Sequence, residues 1–397
     1  MRSSSSLQLR SKARIRLALA TLIISAASVL ISSAAYGQQP QDPENPGFVE
    51  VIEVSGLLDD VLAEALENSI VDAQKKGANG LVLQVNSREA IIPDQKLIDL
   101  ARLIRSSQIP IEVWVGPSGS TAQGKIAQLV LVADSLGVSI GSSIGKTGSQ
   151  VLSQEEFGQI WATKTELLKE NKLQWDEAIE EGLVACERVL IDEIGNSLTD
   201  KEQLARCANP TLGDFLVKRE SFISEIVETE GGPRLSPLTI TKINRLNLID
   251  QLMHTVASPP VAYLLLISGL VLLLFEFFSI GVGIAGAIGA IAFALSSYGL
   301  TALPFRTWAL VLIIFSMFAF AVDIQTVIPR LWTVIGLASF SAGTIFLYPK
   351  QNIQMSWIPM LVGITGMLIL MVRGMPIMVR GRFATTQITR VEDSLES

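Results

Sequence analysis

The sequence is poor in the residues that most enzymes use for catalysis. Its 397 residues include one histidine, His254, and two cysteines, Cys186 and Cys207. A multi-histidine zinc site needs more histidines than this, and a Ser-His-Asp triad or a histidine proton relay would need a histidine in places where the chain has none. Two cysteines are too few for a zinc finger or an iron–sulfur cluster. Any catalysis must use carboxylates, lysines or hydroxyls, and we expect neither a metal nor a cofactor.

Aromatic residues make up 6% of the chain and charged residues 17%, whereas hydrophobic residues reach 49% and mean hydropathy is +0.43. This composition is too apolar for a purely soluble protein and too charged for a wholly membrane-embedded one. The net charge of −7 argues against nucleic acid as a partner. The length and composition together predict a water-exposed domain joined to a membrane domain.

The N-terminus has the pattern of a secretory signal peptide over residues 1–37. A basic segment precedes an apolar run, and small residues around Ala35 lead to a cleavage site before Gln38. The alternative is an uncleaved anchor helix, although the apolar run is short for a membrane span. Residues 38–46 are polar and proline-rich, which predicts a linker.

Residues 259–373 predict an all-α membrane domain, because very few charges interrupt the apolar sequence there. The five predicted spans lie near Val261–Phe278, Val282–Leu300, Trp308–Val322, Leu331–Leu347 and Trp357–Val372. The second is rich in glycine, which leaves a re-entrant segment as an alternative.

Charge is divided unevenly between the two halves. Residues 38–258 hold 19 Lys+Arg against 33 Asp+Glu, whereas residues 259–397 hold 7 against 5. If the signal peptide exports residues 38–258, five spans return the basic tail at 374–397 to the cytoplasm, as the positive-inside rule requires. Arg306 and Lys350 would then lie outside, against that rule. The sequence predicts a multi-pass cell-membrane protein with an extracytoplasmic domain and a cytoplasmic C-terminus.

Residues 216–258 form a predicted connector that ends in an amphipathic helix. One helical face of this segment collects the apolar residues Leu246, Ile249, Leu252, Met253 and Val256. Two interpretations remain open: a helix lying in the membrane interface, or a helix packed on the exported domain. His254 falls on the polar side of the helix and is expected to be a solvated surface residue.

Residues 47–215 predict an α/β domain with a mostly parallel sheet, because strand and helix patterns alternate. The predicted strands are Phe48–Val54, Gly80–Val85, Ile109–Val115 and Gly137–Ile140; the predicted helices are Asp60–Lys76, Gln95–Ser106 and Lys125–Leu136. Sites in such sheets form where strands end and helices begin. The two expected site loops are therefore Asn86–Ala90 and Gly116–Gly124.

Several motifs together resemble a known family. They are Pro260–Leu266, Phe275–Phe277, Gly281–Gly289, Leu303–Trp308, Pro117–Gly119 and Val189–Leu204. Over Phe48 to about Arg382 the chain is similar to the long-form NfeD family, membrane-bound serine peptidases of the ClpP/crotonase-like class. The resemblance implies a ClpP/crotonase-like exported domain followed by the multi-span membrane domain.

The resemblance also implies a serine nucleophile activated by a lysine, but the corresponding positions differ here. The nucleophile position is Gly124, and the lysine nearest in register is Lys164. The glycine pair of the family's oxyanion segment is replaced by Glu89 and Ala90, which places a negative charge where a negative charge must develop. We therefore expect a pseudopeptidase, with all four positions vestigial.

Two other functions remain open. An active Ser/Lys peptidase could use a relocated nucleophile, Ser118 or Ser120, or the neighbouring Thr121. Glu276 and Asp323, which fall near the ends of predicted spans, leave a small-solute transporter as a further alternative.

The resemblance implies a stomatin- or prohibitin-type membrane protein as partner. An inactive peptidase fold in the lipid bilayer could still bind a hydrophobic peptide segment as an added strand, or assemble as a homo-oligomer. The roughly two dozen residues after Val372 are too few for the small OB-fold domain that usually ends family members. In an oxidising compartment Cys186 and Cys207 are expected to form a disulfide, the alternative being two free thiols.

Overall fold

A computed structural model of the chain describes residues 47–153, 159–184, 200–219, 222, 224–229, 232–278, 283–326, 331–349, 353 and 355–374. Met1–Gly47 and Phe48–Ser397 form separate units, and nearly all of the described residues belong to the second. The predicted signal peptide, linker and C-terminal tail lie outside the described residues.

The α/β domain, which the sequence predicts to be exported and which is called the exported domain below, is built on an eight-stranded sheet. Its strands are β1 (Phe48–Leu58), β2 (Gly80–Ala90), β3 (Ile111–Val115), β4 (Thr121–Gln123), β5 (Ser135–Val138), β6 (Ser143–Gly145), β7 (Lys172–Gln174) and β10 (Ile240–Asn244). The order is β10-β1-β2-β4-β6-β7, with β3 beside β2 and β5 beside β3. Only the β6–β7 pair is antiparallel among these described strands. The predicted α/β class with a mostly parallel sheet is confirmed.

The described helices of this domain are α1 (Asp60–Lys75), α2 (Asp94–Arg105), α3 (Lys125–Val130), α4 (Gln159–Glu170), α5 (Trp175–Glu180), α6 (Asp200–Cys207) and α7 (Leu212–Val217). Helix α1 begins where the Asp59 carboxylate accepts the Leu62 N–H at 2.9 Å, a side-chain cap. It buries Leu62, Leu66 and Ile70, which recur at helical spacing, against the sheet.

The predicted ends of one strand and one helix near the site are wrong. The segment Asn86–Ala90, expected to be a loop, is the second half of β2, because β1 and β2 stay paired past a bulge at Gly56 as far as Leu58 and Ala90. The helix expected over Lys125–Leu136 ends at Val130, because Ser135–Val138 pairs with β3.

The predicted connector contributes to the sheet. Strand β10 pairs in parallel with Phe48–Ile52 of β1, and β8 (Ser224–Thr229) and β9 (Gly232–Pro237) form a separate hairpin. The sheet therefore continues beyond residue 215, where the sequence places the end of the exported domain. Because β10 is exposed along most of its length, it lacks the buried face that identifies a strand in the sequence.

The membrane half consists of helices α9 (Pro259–Phe278), α10 (Ile284–Ala302), α11 (Thr307–Thr326), α12 (Leu331–Phe346) and α13 (Trp357–Ile369), the last continued by a π-helical turn at Leu370–Gly374. Four of these segments are long and apolar enough to cross a membrane. Helix α12 has 16 residues, or about 24 Å of helix, against a hydrocarbon core of about 30 Å. Five crossings therefore remain a prediction.

The exported domain and the membrane helices are packed together. Leu57, near the end of β1, and Ile91, just after β2, both contact the apolar cluster formed by the membrane helices. Helix α8 (Leu248–Val256) lies between the two parts and contacts α1, α9 and α10. The ends of β1 and β2, where the predicted site lies, are therefore close to the membrane domain.

Candidate functional site

Glu89 is a buried carboxylate near the end of β2, with only 8% of its surface exposed. Its Oε1 atom accepts two backbone hydrogen bonds, from the Ala90 N–H at 3.0 Å and from the Lys125 N–H at 2.9 Å. Ala90 ends β2 and Lys125 is the first residue of α3. Two N–H groups from separate elements therefore converge on one oxygen, the arrangement with which an oxyanion hole binds its ligand.

Gly124, the position that corresponds to the family's nucleophile, lies against this carboxylate. A Cβ atom added to Gly124 would approach the Glu89 carboxylate to 2.5 Å, closer than van der Waals contact allows. The backbone of Gly124 has φ +65° and ψ −148°, a region that only glycine occupies readily. Glycine is thus required here both for conformation and for space, and a serine does not fit while Glu89 stays in place.

Burial raises the pKa of Glu89 above its usual value, while the hydrogen bonds from the Lys125 and Ala90 N–H groups and the charge of Lys125 oppose that rise. The Lys125 side chain itself forms an ion pair with Asp94. Both hydrogen bonds to Glu89 that define the site come from backbone groups. The two backbone hydrogen bonds therefore contribute more to holding the Glu89 carboxylate in place than the charge of a basic side chain does.

The expected lysine is engaged elsewhere. Lys164 in α4 forms an ion pair with Glu181, with 2.6 Å between Nζ and Oε2. The structure therefore brings Glu89, Ala90 and Gly124 together, as the resemblance implied, while the described contact of Lys164 is with a carboxylate outside this group.

The two fallback hydroxyls lie in the turn before Gly124. Ser118 is exposed and donates a hydrogen bond to the Ile140 carbonyl at 2.7 Å, whereas Ser120 is buried. Within the described residues, no lysine amine hydrogen-bonds to either hydroxyl. A hydroxyl without a base in reach is a weak nucleophile.

His254 is the functional feature that the sequence interpretation missed. The expectation of a solvated surface residue is wrong: its side chain is 18% exposed, with Nδ1 2.9 Å from the Asp59 carboxylate and Nε2 3.1 Å from the Ser55 carbonyl oxygen. Burial acts to lower the pKa of His254, but the hydrogen bond and charge of Asp59 and the Ser55 carbonyl outweigh it, so the pKa is raised. On the polar side of α8, the His254 side chain therefore faces the cap of α1 and not solvent.

A cavity of about 170 Å³ lies beside this histidine. Its lining residues are Ser55, Gly56, Leu57, Asp59, His254, Thr255, Ala257 and Ser258. Gly56 has φ +80°, and a Cβ atom there would lie 3.4 Å from the imidazole. Because 3.4 Å is an ordinary van der Waals distance, it is the positive φ of Gly56 that favours glycine at this bulge.

The two intramembrane carboxylates bind neighbouring helices. Glu276 of α9 accepts the Gly286 N–H of α10 at 3.2 Å, and Asp323 of α11 accepts the Thr333 hydroxyl of α12 at 2.5 Å. Each of these contacts joins two successive helices. Such an anchoring role for the two carboxylates is the alternative to a role in solute transport.

Cys207 belongs to a disulfide, and Cys186, the only other cysteine in the sequence, lies outside the described residues. Their pairing remains a prediction, as does the closing strand within Val189–Leu204, most of which is also outside them. In the described residues, no cluster of three or more His, Cys, Asp or Glu side chains could hold a metal ion.

Comparison with known proteins identifies relatives that cover most of the chain. Residues 260–374 match the NfeD integral membrane domain. The membrane-bound protease PH1510 of Pyrococcus horikoshii is 23% identical over 346 residues, which are 84% of this chain and 74% of that protein. Membrane protein NfeD1b of Bacillus subtilis is 25% identical over 260 residues, 63% of this chain and 56% of that protein.

Solved structures of one relative align with part of the chain. The 1510-N membrane protease specific for a stomatin homolog, from Pyrococcus horikoshii, covers 53% of this chain and 98% of its own, with a TM-score of 0.38 and 16% identity. A mutant of that protease in complex with a substrate peptide aligns with a TM-score of 0.34 and 15% identity. Residues 260–374 thus match an NfeD integral membrane domain, and the chain is similar to membrane-bound proteins of the NfeD type, as its sequence motifs indicated.

Proposed function

We propose that this chain is a peptidase homologue without peptidase activity, anchored in the membrane, that binds a segment of a partner protein. One observation carries the proposal: the Glu89 carboxylate accepts the Ala90 and Lys125 N–H groups and fills the space beside Gly124. The groups that would bind a substrate's oxyanion already bind the protein's own carboxylate.

The chemistry of peptide hydrolysis explains why this arrangement argues against activity. A serine peptidase needs a hydroxyl to attack the carbonyl and free N–H donors for the charge that develops on its oxygen. Loss of the nucleophile typically lowers the rate about a millionfold, and loss of one oxyanion donor about a hundred- to a thousandfold. Here Gly124 offers no hydroxyl, and a carboxylate occupies both donors.

A serine-directed fluorophosphonate probe tests the absence of a nucleophile. We expect no covalent labelling of the full-length protein in detergent, under conditions that label an unrelated serine hydrolase added to the same sample. The matched variants are Ser118→Ala and Ser120→Ala. Labelling of the wild type that disappears in either variant would establish a relocated nucleophile and overturn the proposal.

We propose a stomatin-type membrane protein as the partner, bound through a hydrophobic segment. One solved relative is described as specific for a stomatin homolog, and one of its structures contains a substrate peptide. In parallel α/β sheets, ligands bind where strands end, and here that edge carries Glu89 and the turn before Gly124. An extended peptide bound beside such strands gains main-chain hydrogen bonds without any need for catalysis.

Site-specific photo-crosslinking in native membranes tests the partner. A photoreactive amino acid at the exposed Ser118 should crosslink to a stomatin-type protein, whereas the same group at the exposed Glu64 of α1 should not. Equal crosslinking from the two positions, or none from Ser118, would contradict a partner site at this turn.

We further propose that the exported domain is extracytoplasmic and the C-terminal tail cytoplasmic, with several copies of the chain assembled together. The arginines after Val372 support this orientation, because basic residues near the ends of spans favour the cytoplasmic side. A membrane-impermeant maleimide on intact cells should label Asn68→Cys and not Ser394→Cys. The reverse pattern would invert the topology, and a monomeric mass in detergent would remove the assembly.

A further inference from the structure

Helix α8 has an apolar stripe that no other residue described in the structure covers. Leu248 is 85% exposed, Ile249 70% and Leu252 48%. At 3.6 residues per turn these three side chains fall within an arc of about 100°. The stripe differs from the apolar face expected from the sequence, because Val256 is buried and Leu246 packs against the core of the exported domain.

The opposite side of α8 is fixed to the exported domain. His254 points to the Asp59 carboxylate and the Ser55 carbonyl, which lie after and within β1. Because both ring nitrogens of His254 have partners, α8 cannot rotate about its axis without breaking at least one of these contacts. The direction of the apolar stripe is therefore set by the exported domain.

The C-terminal end of α8 is fixed to the membrane domain. Gly299 of α10 packs so closely on the Val256 carbonyl that an added Cβ atom would lie 2.4 Å from its oxygen. The first membrane helix begins at Pro259, three residues after α8 ends. A spanning helix begins where the hydrocarbon core begins, so this end of α8 lies at the level of the lipid headgroups.

We propose that α8 is a lipid-binding element, which lies in the headgroup layer and places Leu248, Ile249 and Leu252 among the upper parts of the acyl chains. The continuity of α8 with the first membrane helix selects the bilayer as the occupant of this stripe, over a second copy of the chain. Exposed leucine and isoleucine on one side of an interfacial helix are typical of such binding.

The charges of α8 specify the kind of lipid surface. Within Leu248–Val256 the charged residue is Asp250 and the titratable one His254, with no lysine or arginine. Binding should therefore come from buried apolar area and not from attraction to anionic headgroups. The inference does not depend on the absence of peptidase activity.

Depth-dependent fluorescence quenching in nanodiscs tests this proposal on the full-length chain. An environment-sensitive fluorescent amino acid is placed at Leu252 in one variant and at Gln251, exposed on the polar side, in the matched control. With lipids brominated near the carbonyl end of the acyl chains, we expect at least twofold stronger quenching at 252 than at 251. Replacing a third of the lipid with an anionic one should change this ratio less than twofold.

Three results would overturn the proposal. Equal quenching at the two positions would show that the stripe does not enter the bilayer. Quenching that requires anionic lipid would show that apolar burial is not its cause. A shielded probe at 252 that becomes water-exposed in nanodiscs holding a single chain would identify a second copy as the occupant. Each fluorophore-labelled variant should elute from a size-exclusion column as a single species, which checks that it folds.

Discussion

Two buried carboxylates lie at the same end of the sheet, and their partners differ. Asp59 follows β1, caps α1 through one oxygen and pairs with His254 through the other. Glu89, the last residue but one of β2, uses one oxygen to accept two backbone N–H groups. Asp59 joins the exported domain to a helix that precedes the membrane, whereas Glu89 fills a pocket within that domain.

The difference shows how one type of side chain can serve opposite purposes. A carboxylate paired with a side chain from a distant segment fastens two parts of the molecule. A carboxylate that accepts backbone donors of its own site removes those donors from any ligand. Burial dominates the environment of Glu89 and raises its pKa, whereas the contact of Asp59 with His254 prevails over burial and raises the pKa of the imidazole.

The largest loss of stability is expected for Gly124→Ser, which places a side chain in the space that the Glu89 carboxylate occupies. The clash and the positive φ together should lower the free energy of unfolding by about 3 kcal/mol or more. The matched control is Gly119→Ser, which has φ +81° but nothing within 4 Å of an added Cβ, so it isolates backbone strain. Thermal unfolding of the full-length protein in detergent compares the two. Equal losses would show that Glu89 does not occupy this space.

Asp59→Ala should cause the second-largest loss of stability, because it removes both the cap of α1 and the partner of His254 Nδ1. The cap alone is worth about 1 kcal/mol, and loss of the partner of His254 Nδ1 adds a similar or larger cost, so about 2–3 kcal/mol is expected. Asp60→Ala is the control, since Asp60 forms only an exposed ion pair with Lys96. If both variants unfold at the same temperature, the junction does not contribute to stability.

Glu89→Ala should cost about 1–3 kcal/mol, because the Ala90 and Lys125 N–H groups lose their acceptor. Glu89→Gln keeps an amide oxygen that can accept both hydrogen bonds and should cost less than the alanine variant. Chemical denaturation measures both. The reverse order of stability would mean that the carboxylate charge, and not the acceptor geometry, holds the site.

The smallest expected effect is a dependence of the protein's stability on pH. The pKa of His254 is raised in the folded state above its usual 6.5, so its stabilising contribution is complete below that value and is lost as pH rises through the folded pKa. The wild type should therefore exceed His254→Gln in stability most at acidic pH, and the gap should narrow above neutrality. A constant gap between pH 5 and pH 9 would exclude a charged imidazole at this junction.

Local patterns in the sequence predict most of the architecture but not the contacts between distant residues. Helix α1 begins at the expected residue and ends one residue early, because its cap and apolar spacing are local signals. The neighbourhood of Glu89, Ala90 and Gly124 follows from the resemblance, yet the direction of the Glu89 side chain does not. His254 was misjudged because its partners Asp59 and Ser55 lie 195 and 199 positions away. Periodicity within one helix carries no information at that separation.

The contact between Glu89 and Gly124 also constrains which substitutions the two positions can accept. A serine introduced at position 124 meets the carboxylate and is disfavoured while Glu89 is present. A shorter side chain at position 89 would remove that clash, but it would also leave the Ala90 and Lys125 N–H groups without their acceptor. The two positions are therefore coupled, and a change at either one alone gives a less stable protein.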